Sequence, residues 1–329
     1  MQQTKTSSPV IPISETLILS DGHAGNVRQA QALAAALGRP AREFVLQARA
    51  PWTWAAPRRL PGAERAFGAA FADVLAAPPA LAIGCGRQAA LATRLLRTRG
   101  AQAVQILDPR IDSRHWDLVI APEHDGLSAA NSLSLLGSLH PVDDLWLAAA
   151  RSAFPAFGVL PSPRTALLLG GPSAHAAFDA GKFETLIAQA AALVEREGGS
   201  VLATASRRTP AGVREHLRAR FARVPGVVWA GPEDGANPYA GLLGWADRVV
   251  CTADSVNLLS EAAATTVPLY IAGVEVLSGR PRRFVDTLLA SGRARVFAGS
   301  QMLDSYAVTP LRETARIAEE VRRRLRLGA

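Results

Sequence analysis

At 329 residues, 49% of them hydrophobic, the chain is long for one compact core, and two α/β domains are the expectation. Its formal net charge of +8 implies a surface that attracts phosphate, nucleic acid or anionic lipid, so an anionic substrate is the simplest reading. Two cysteines, Cys85 and Cys251, each following an apolar run, exclude a disulfide framework and fit reduced, buried thiols in a cytosol.

In chain order, the first stretch, MQQTKTSSPVIPISE, has neither the apolar core of a signal peptide nor a stop-transfer run. No later segment reads as a bilayer span, so a soluble or peripheral protein is expected. ETLILS then leads into the helical pattern GNVRQAQALAAALG, and ALAIG into GRQAALATRLLRTRG, followed by AQAVQIL and DLVIAP. Alternation of this kind predicts parallel βαβ units. Pro155, Pro161 and Pro163 interrupt it, which places the domain boundary between 155 and 156. RTALLLGG, FETLIAQAAALVEREGG, SVLATAS, TPAGVREHLRARF, GVVWA, PYAGLLGWA and DRVVCTAD restart it. The expected architecture is α/β: two Rossmann-like, doubly wound domains, 1–155 and 156–310, facing a cleft. A last helix over 311–329 is free to pack back on the first domain.

Open parallel sheets bind ligands beyond the C-terminal ends of their strands, so the turns there are where chemistry is sought. In SDGHAGNVRQAQAL, Gly22 and Gly25 permit a tight turn into a helix whose free N–H groups suit an anion or an acceptor hydroxyl. An imidazole at His23 suits a general base, with Asp21 orienting it or acting instead; a bare cap at Asp21 and a merely exposed His23 is the plainer alternative. In ARAPWTWAAPRRLPG, Trp52 and Trp54 lie close to Arg49, Arg58 and Arg59, which suits a bilayer interface or a lipid acceptor, or equally a loop packed into its domain. IGCGRQAAL, with Gly84 and Gly86, is half a dinucleotide fingerprint and reads as a tight βα turn. APEHDG sets Glu123, His124 and Asp125 directly after a strand, with no second His or Cys at a metal-ligand spacing. The arginines are spread over many helices rather than forming one stripe, so nucleic acid is not an expected partner.

In the second half, GGPSAH and TASRRTP offer Gly171, Ser173, Ser206, Arg207 and Arg208, the small hydroxyls, glycines and guanidinium groups a diphosphate needs. GANPYAGLL adds Asn237. CTADSVNLLSEAAATTVPLYI packs Thr252, Asp254 and Ser255 into a turn where Asp254 or Ser255 can cap the next helix. Glu261, on that otherwise apolar helix, needs a partner, and a ribose diol supplies two hydroxyl donors.

These residues resemble the glycosyltransferase-B fold, in which the corresponding helix turn holds the nucleotide diphosphate and its Glu holds ribose. The group includes the peptidoglycan enzyme that adds N-acetylglucosamine to a lipid-linked muramyl-pentapeptide. More closely, SDGHAGNVRQAQALAAALG, APEHDG, LLLGGPS, SRRTP, NPYAGLL and TADSVNLLSEAAAT resemble, in order from about Leu17 to Phe297, the blocks of bacterial members of the Elongated-Mitochondria (mitochondrial fission) family. The resemblance implies a nucleotide-diphosphate sugar as partner and a cytosolic place; the tryptophan and arginine loop and the net charge add, as an expectation, peripheral contact with anionic lipid at the inner face of the membrane. Taken with the turns of the second half, it sets the expected donor site at Gly171, Ser173, Ser206, Arg207, Arg208, Asn237, Thr252, Asp254, Ser255 and Glu261. A glycolipid or saccharide acceptor would then lie against Gly22, Gly25, Glu123, His124, Trp52 and Trp54, with His23, Asp21 or Asp125 as base and neither metal nor cofactor. A nucleotide-sugar epimerase or hydrolase is the alternative within the fold; a non-catalytic interaction protein, as plant members are described, is the alternative outside it. In one respect the chain departs from the wider fold: the turn before the Glu helix is usually glycine-rich, so Asp254 must point away from a diphosphate or cap the helix.

Overall fold

The computed structural model describes residues 15–299 and 302–328; residues 1–14, read above for targeting signals, lie outside the described residues. Contacts divide the chain into two units, one running to Leu135 and resumed from Glu313, the other Leu136–Arg312. The prolines at 155, 161 and 163 fall inside the second.

The first unit carries β1 (Thr16–Ser20), α1 (Ala24–Ala36), β2 (Ala41–Val45), α2 (Trp52–Ala55), α3 (Ala69–Ala76), β3 (Leu81–Cys85), α4 (Arg87–Arg97), β4 (Gln102–Ile106), β5 (Leu118–Pro122) and β6 (Ser132–Leu135). Its six strands are parallel, in the order β2-β1-β3-β4-β5-β6. β1, β3 and β5 are buried at every position, as strands covered on both faces must be, and that is why they read as unbroken apolar runs. Leu17, Leu19, Phe71, Leu91 and Leu95 form the core beneath them.

The second unit carries α5 (Asp144–Ala153), β7 (Arg164–Leu169), α6 (Ala180–Glu197), β8 (Ser200–Ala205), α7 (Ala211–Phe221), β9 (Gly226–Trp229), α8 (Tyr239–Trp245), β10 (Arg248–Thr252), α9 (Val256–Ala263), β11 (Leu269–Ala272), α10 (Gly279–Ala290) and β12 (Ala294–Val296). Its strands, again all parallel, run β12-β11-β10-β7-β8-β9. Truncating a wholly buried strand residue such as Leu167 should cost about 2–5 kcal/mol. α11 (Thr314–Leu325) returns to the first unit, where Arg322 donates to the Ala36 carbonyl ending α1 and Gln102 donates to Leu325 O at 2.9 Å. A cation at a helix C-terminus satisfies orphan carbonyls and the macrodipole together.

Both orders are doubly wound. The second is the order of dinucleotide-binding folds, and the first is the flavodoxin-like order with one strand added. In each sheet the winding reverses beside the first strand: between β1 and β3, and between β7 and β10. Ligands of open α/β sheets bind at such reversals, beyond the strand C-termini.

Candidate functional site

In the second unit, the turns after the adjacent strands β10, β7 and β8 are tied into one network. Asp254 Oδ2 accepts the Gly171 amide at 2.8 Å and Arg208 Nη2 at 2.8 Å. Thr252 Oγ1 accepts the Gly170 amide at 2.8 Å, and Thr209 Oγ1 donates back to the Gly170 carbonyl. Ser206 closes the ring: its amide donates to Leu169 O at 2.8 Å and its hydroxyl accepts from Arg208 N at 3.2 Å. The two glycines are required by close approach. A Cβ on Gly170 would lie 2.1 Å from Asp254 Oδ2, and one on Gly171 2.4 Å from the Arg208 carbonyl.

This geometry separates Asp254 from its neighbour. Ser255 is the residue that caps α9, its Oγ accepting from Leu258 N at 3.4 Å. The Asp254 side chain is instead 0% exposed and carries Arg208, which is 46% exposed, on the same Oδ2 that takes the Gly171 amide. Arg208 Nη1 also donates to Gly171 O at 3.2 Å, so the guanidinium is braced at two points and still reaches solvent. Burial, with the charges of Asp254 and Glu261 nearby, pushes the Cys251 thiol well up, leaving it protonated and unreactive.

The remaining candidates of this unit take varied places. Ser173 Oγ accepts from His175 N at 3.3 Å within a small loop, and Arg207 is exposed. Asn237 Oδ1 accepts from Tyr239 N at 3.0 Å at the start of α8, which makes it a local turn former first. Glu261 is 4% exposed on α9. The far end of α9 is held by buried Arg293, which donates to Ala262 O, Ala263 O and Thr265 O at 3.1, 2.7 and 2.9 Å. Burial, offset in part by Tyr306, brings that guanidinium down to about 10. Neither Thr209 nor Arg293 was singled out from the sequence; only Thr209, inside TASRRTP, lay in a stretch already suspected.

In the first unit the reversal between β1 and β3 gathers a second cluster. His23 Nδ1 lies 3.0 Å from Asp21 Oδ1, with the imidazole 80% exposed. The same carboxylate accepts from Asn26 Nδ2 at 3.0 Å and from His23 N at 3.2 Å. Burial works to raise the Asp21 carboxyl, but Asn26 and the His23 amide and ring outweigh it and hold it below its ordinary value. Asp21 is therefore not a cap: the N-cap position of α1 is His23, without a side-chain cap bond. Gly25 lies within the first turn of α1, so Gly22 alone, with φ 77°, makes the turn. Asn26, Cys85 and Gly86 complete the cluster; the turn IGCG, read as merely tight, supplies two of them.

Other candidates in this unit sit apart from that cluster. Asp125 accepts Arg110 Nη2 at 3.2 Å beyond β5, three strand spacings or about 14 Å from β1. Glu123 and His124 share its short helical turn, the first exposed and the second half-buried. The tryptophans divide: Trp52 packs against the core, whereas Trp54 is 74% exposed.

The family model for mitochondrial fission ELM1 matches residues 24–325 of this sequence. The chain belongs to the mitochondrial fission ELM1 family. Within that family it is similar to the mitochondrial fission protein ELM1 of Arabidopsis thaliana, 32% identical over 276 residues, which are 75% of this chain and 64% of that protein. It thus spans less than two thirds of that relative's length. Among solved structures it is similar to MurG of Acinetobacter baumannii, with TM-score 0.50, 14% identity and coverage of 95% and 91% of the two chains. It is similar also to the UDP-GlcNAc 2-epimerase of Methanocaldococcus jannaschii solved with UDP-GlcNAc and UDP, with TM-score 0.51, 11% identity and coverage of 96% and 100%. At such identities the likeness carries the fold: this ELM1-family chain has the glycosyltransferase-B fold. Among its described residues no helix is long and apolar enough to cross a membrane, and no three His, Cys, Asp or Glu side chains gather as a metal-holding group.

Proposed function

We propose that the second unit binds a nucleotide-diphosphate sugar and that the chain transfers the sugar to a hydroxyl of a glycolipid or saccharide. The observation that carries this reading is the burial of Asp254 beneath Arg208 at the β7/β10 reversal. The carboxylate that would have repelled a diphosphate instead aims a guanidinium at the place where the fold puts phosphate. Arg208 and the hydroxyls of Ser173 and Ser206 then take up the charge of the leaving diphosphate, with Glu261 on α9 for the ribose hydroxyls. The UDP-GlcNAc held by the epimerase of like fold supports the ligand class.

In the first unit His23 takes the proton. The acceptor oxygen forms a bond to the anomeric carbon, the bond from that carbon to the diphosphate oxygen breaks, and the acceptor proton passes to Nε2 of His23. Exposed Trp54 and, four residues on, exposed Arg58 suit the lipid end of an acceptor or an anionic membrane surface.

Calorimetry with uridine, guanosine, cytidine and thymidine diphosphates tests the reading directly. Binding of one of them, weakened in Arg208→Ala, is the expected result; no binding of any would leave a role as an interaction protein, in keeping with the name of the plant relative. Incubating the bound nucleotide-sugar with and without acceptors then separates transfer from epimerisation or hydrolysis, which need no acceptor.

A further inference from the structure

The hydrogen bonds behind His23 run further than the proposed reaction requires. Asp21 can only accept, so the Asn26 amide must turn its NH2 group toward Oδ1, at 3.0 Å. That choice points Asn26 Oδ1 at Cys85 Sγ, 3.6 Å away, an atom able to donate only as a thiol. Burial and the charge of Asp21 push the Cys85 thiol up, which keeps its hydrogen in place. Gly86 leaves the room for this amide: a Cβ there would lie 2.7 Å from Asn26 Nδ2 and 3.7 Å from Asp21 Oδ2.

We infer that Asn26, backed by the Cys85 thiol, is a positioning residue: it fixes the Asp21 carboxylate, which fixes the hydrogen of His23 on Nδ1 and leaves the Nε2 lone pair turned outward. The hydrogens then run in one order, from Sγ–H to the amide oxygen and from the amide NH2 to the carboxylate, with Nδ1 standing 3.0 Å from the same carboxylate oxygen. An imidazole that is 80% exposed has little else to choose its tautomer, and the hydrogen bond at one ring nitrogen sets which form is present. The inference rests on the reading of His23 as the base of the transfer, but the tautomer can be measured without any substrate.

Long-range nitrogen–proton NMR of the full-length chain, labelled with nitrogen-15, reports which nitrogen of His23 carries hydrogen. The wild type should show Nδ1–H, and Asn26→Ala should move the population toward Nε2–H. Cys85→Ser, which keeps a donor, should hold the wild-type form better than Cys85→Ala. Amide dispersion reports whether each variant folds, and Asn26→Leu, which keeps the branched heavy-atom skeleton without the polar atoms, replaces Asn26→Ala if the smaller side chain fails to fold. Where turnover is measured, Asn26→Ala should lower kcat on the order of tenfold, part of what a positioned base supplies, with KM for the donor unchanged. Nε2–H in the wild type, or a tautomer unmoved in folded Asn26→Ala, would overturn the inference. Turnover intact in His23→Ala, with the tautomer shift still seen in Asn26→Ala, would overturn the base assignment alone.

Discussion

The two reversals of strand order occupy equivalent places in their sheets and are filled in opposite ways. At β7/β10 a buried aspartate takes a backbone amide and a guanidinium, so what reaches outward is a fixed positive charge. At β1/β3 an aspartate takes an amide side chain and an imidazole, so what reaches outward is a ring nitrogen able to accept a proton. In both, the carboxylate is an anchor, and under the proposed function the side chain it holds is the reagent. The fold supplies the location; the partner of each aspartate decides whether a cation or an imidazole faces outward there.

The sharpest way to break this comparison is to remove each reagent and ask which step suffers. His23→Ala should lower kcat about 10²–10⁴-fold while nucleotide affinity, read by calorimetry, stays within about twofold of wild type. Arg208→Ala should do the reverse, weakening the nucleotide diphosphate about 10- to 150-fold, the equivalent of about 1.5–3 kcal/mol for hydrogen bonds to a charged group. If each variant loses turnover and affinity in equal measure, the division of labour between the units is wrong.

The anchor of the second unit gives a smaller effect with two opposed outcomes. Asp254→Ala strands the Gly171 amide and frees Arg208, and should destabilise the chain by about 1–3 kcal/mol, measured as a lower urea midpoint at unchanged slope. Asp254→Asn keeps an acceptor and should lose less. Tighter diphosphate binding in Asp254→Ala without loss of stability would mean that the carboxylate repels the ligand after all.

The buried strands were legible because both faces are covered: TLILS, LAIGC and RTALLL read as continuous apolar runs. β2, β6 and β12 were not, since they are edge strands with exposed or half-buried positions that break the run. The turns that hold the two clusters were legible as well, because the fold places chemistry after strand C-termini. The roles inside them were not. Nothing in ADS tells which of Asp254 and Ser255 caps and which turns inward; the pairing of β10 with β7 decides it. Asn26 looks like an ordinary polar residue of a first helical turn until β1 pairs with β3 and brings Cys85, 59 positions away, to its oxygen. Trp52 and Trp54 are two apart on a helix, about 200° around its axis, so sequence proximity hid that one is packed against the core and the other exposed.

The gentlest probe is acid. Asp21 lies below its ordinary value of 3.8 in the folded chain: burial opposes this, but the hydrogen bonds of Asn26 and the His23 amide and ring overcome it. For a carboxyl lowered by folding, the stabilisation is fully present above the unfolded value and fades as pH falls through the folded one. The stability difference between wild type and Asp21→Asn should therefore be constant from neutral pH down to about 5 and shrink below about 4, followed by urea unfolding at each pH. Asn26→Ala removes the larger of the lowering hydrogen bonds, so its own acid profile should fall off at a higher pH than wild type. A difference between wild type and Asp21→Asn that grows as pH falls below about 4 would show that Asp21 is held as the acid, and an acid cannot anchor His23 in the way its geometry requires.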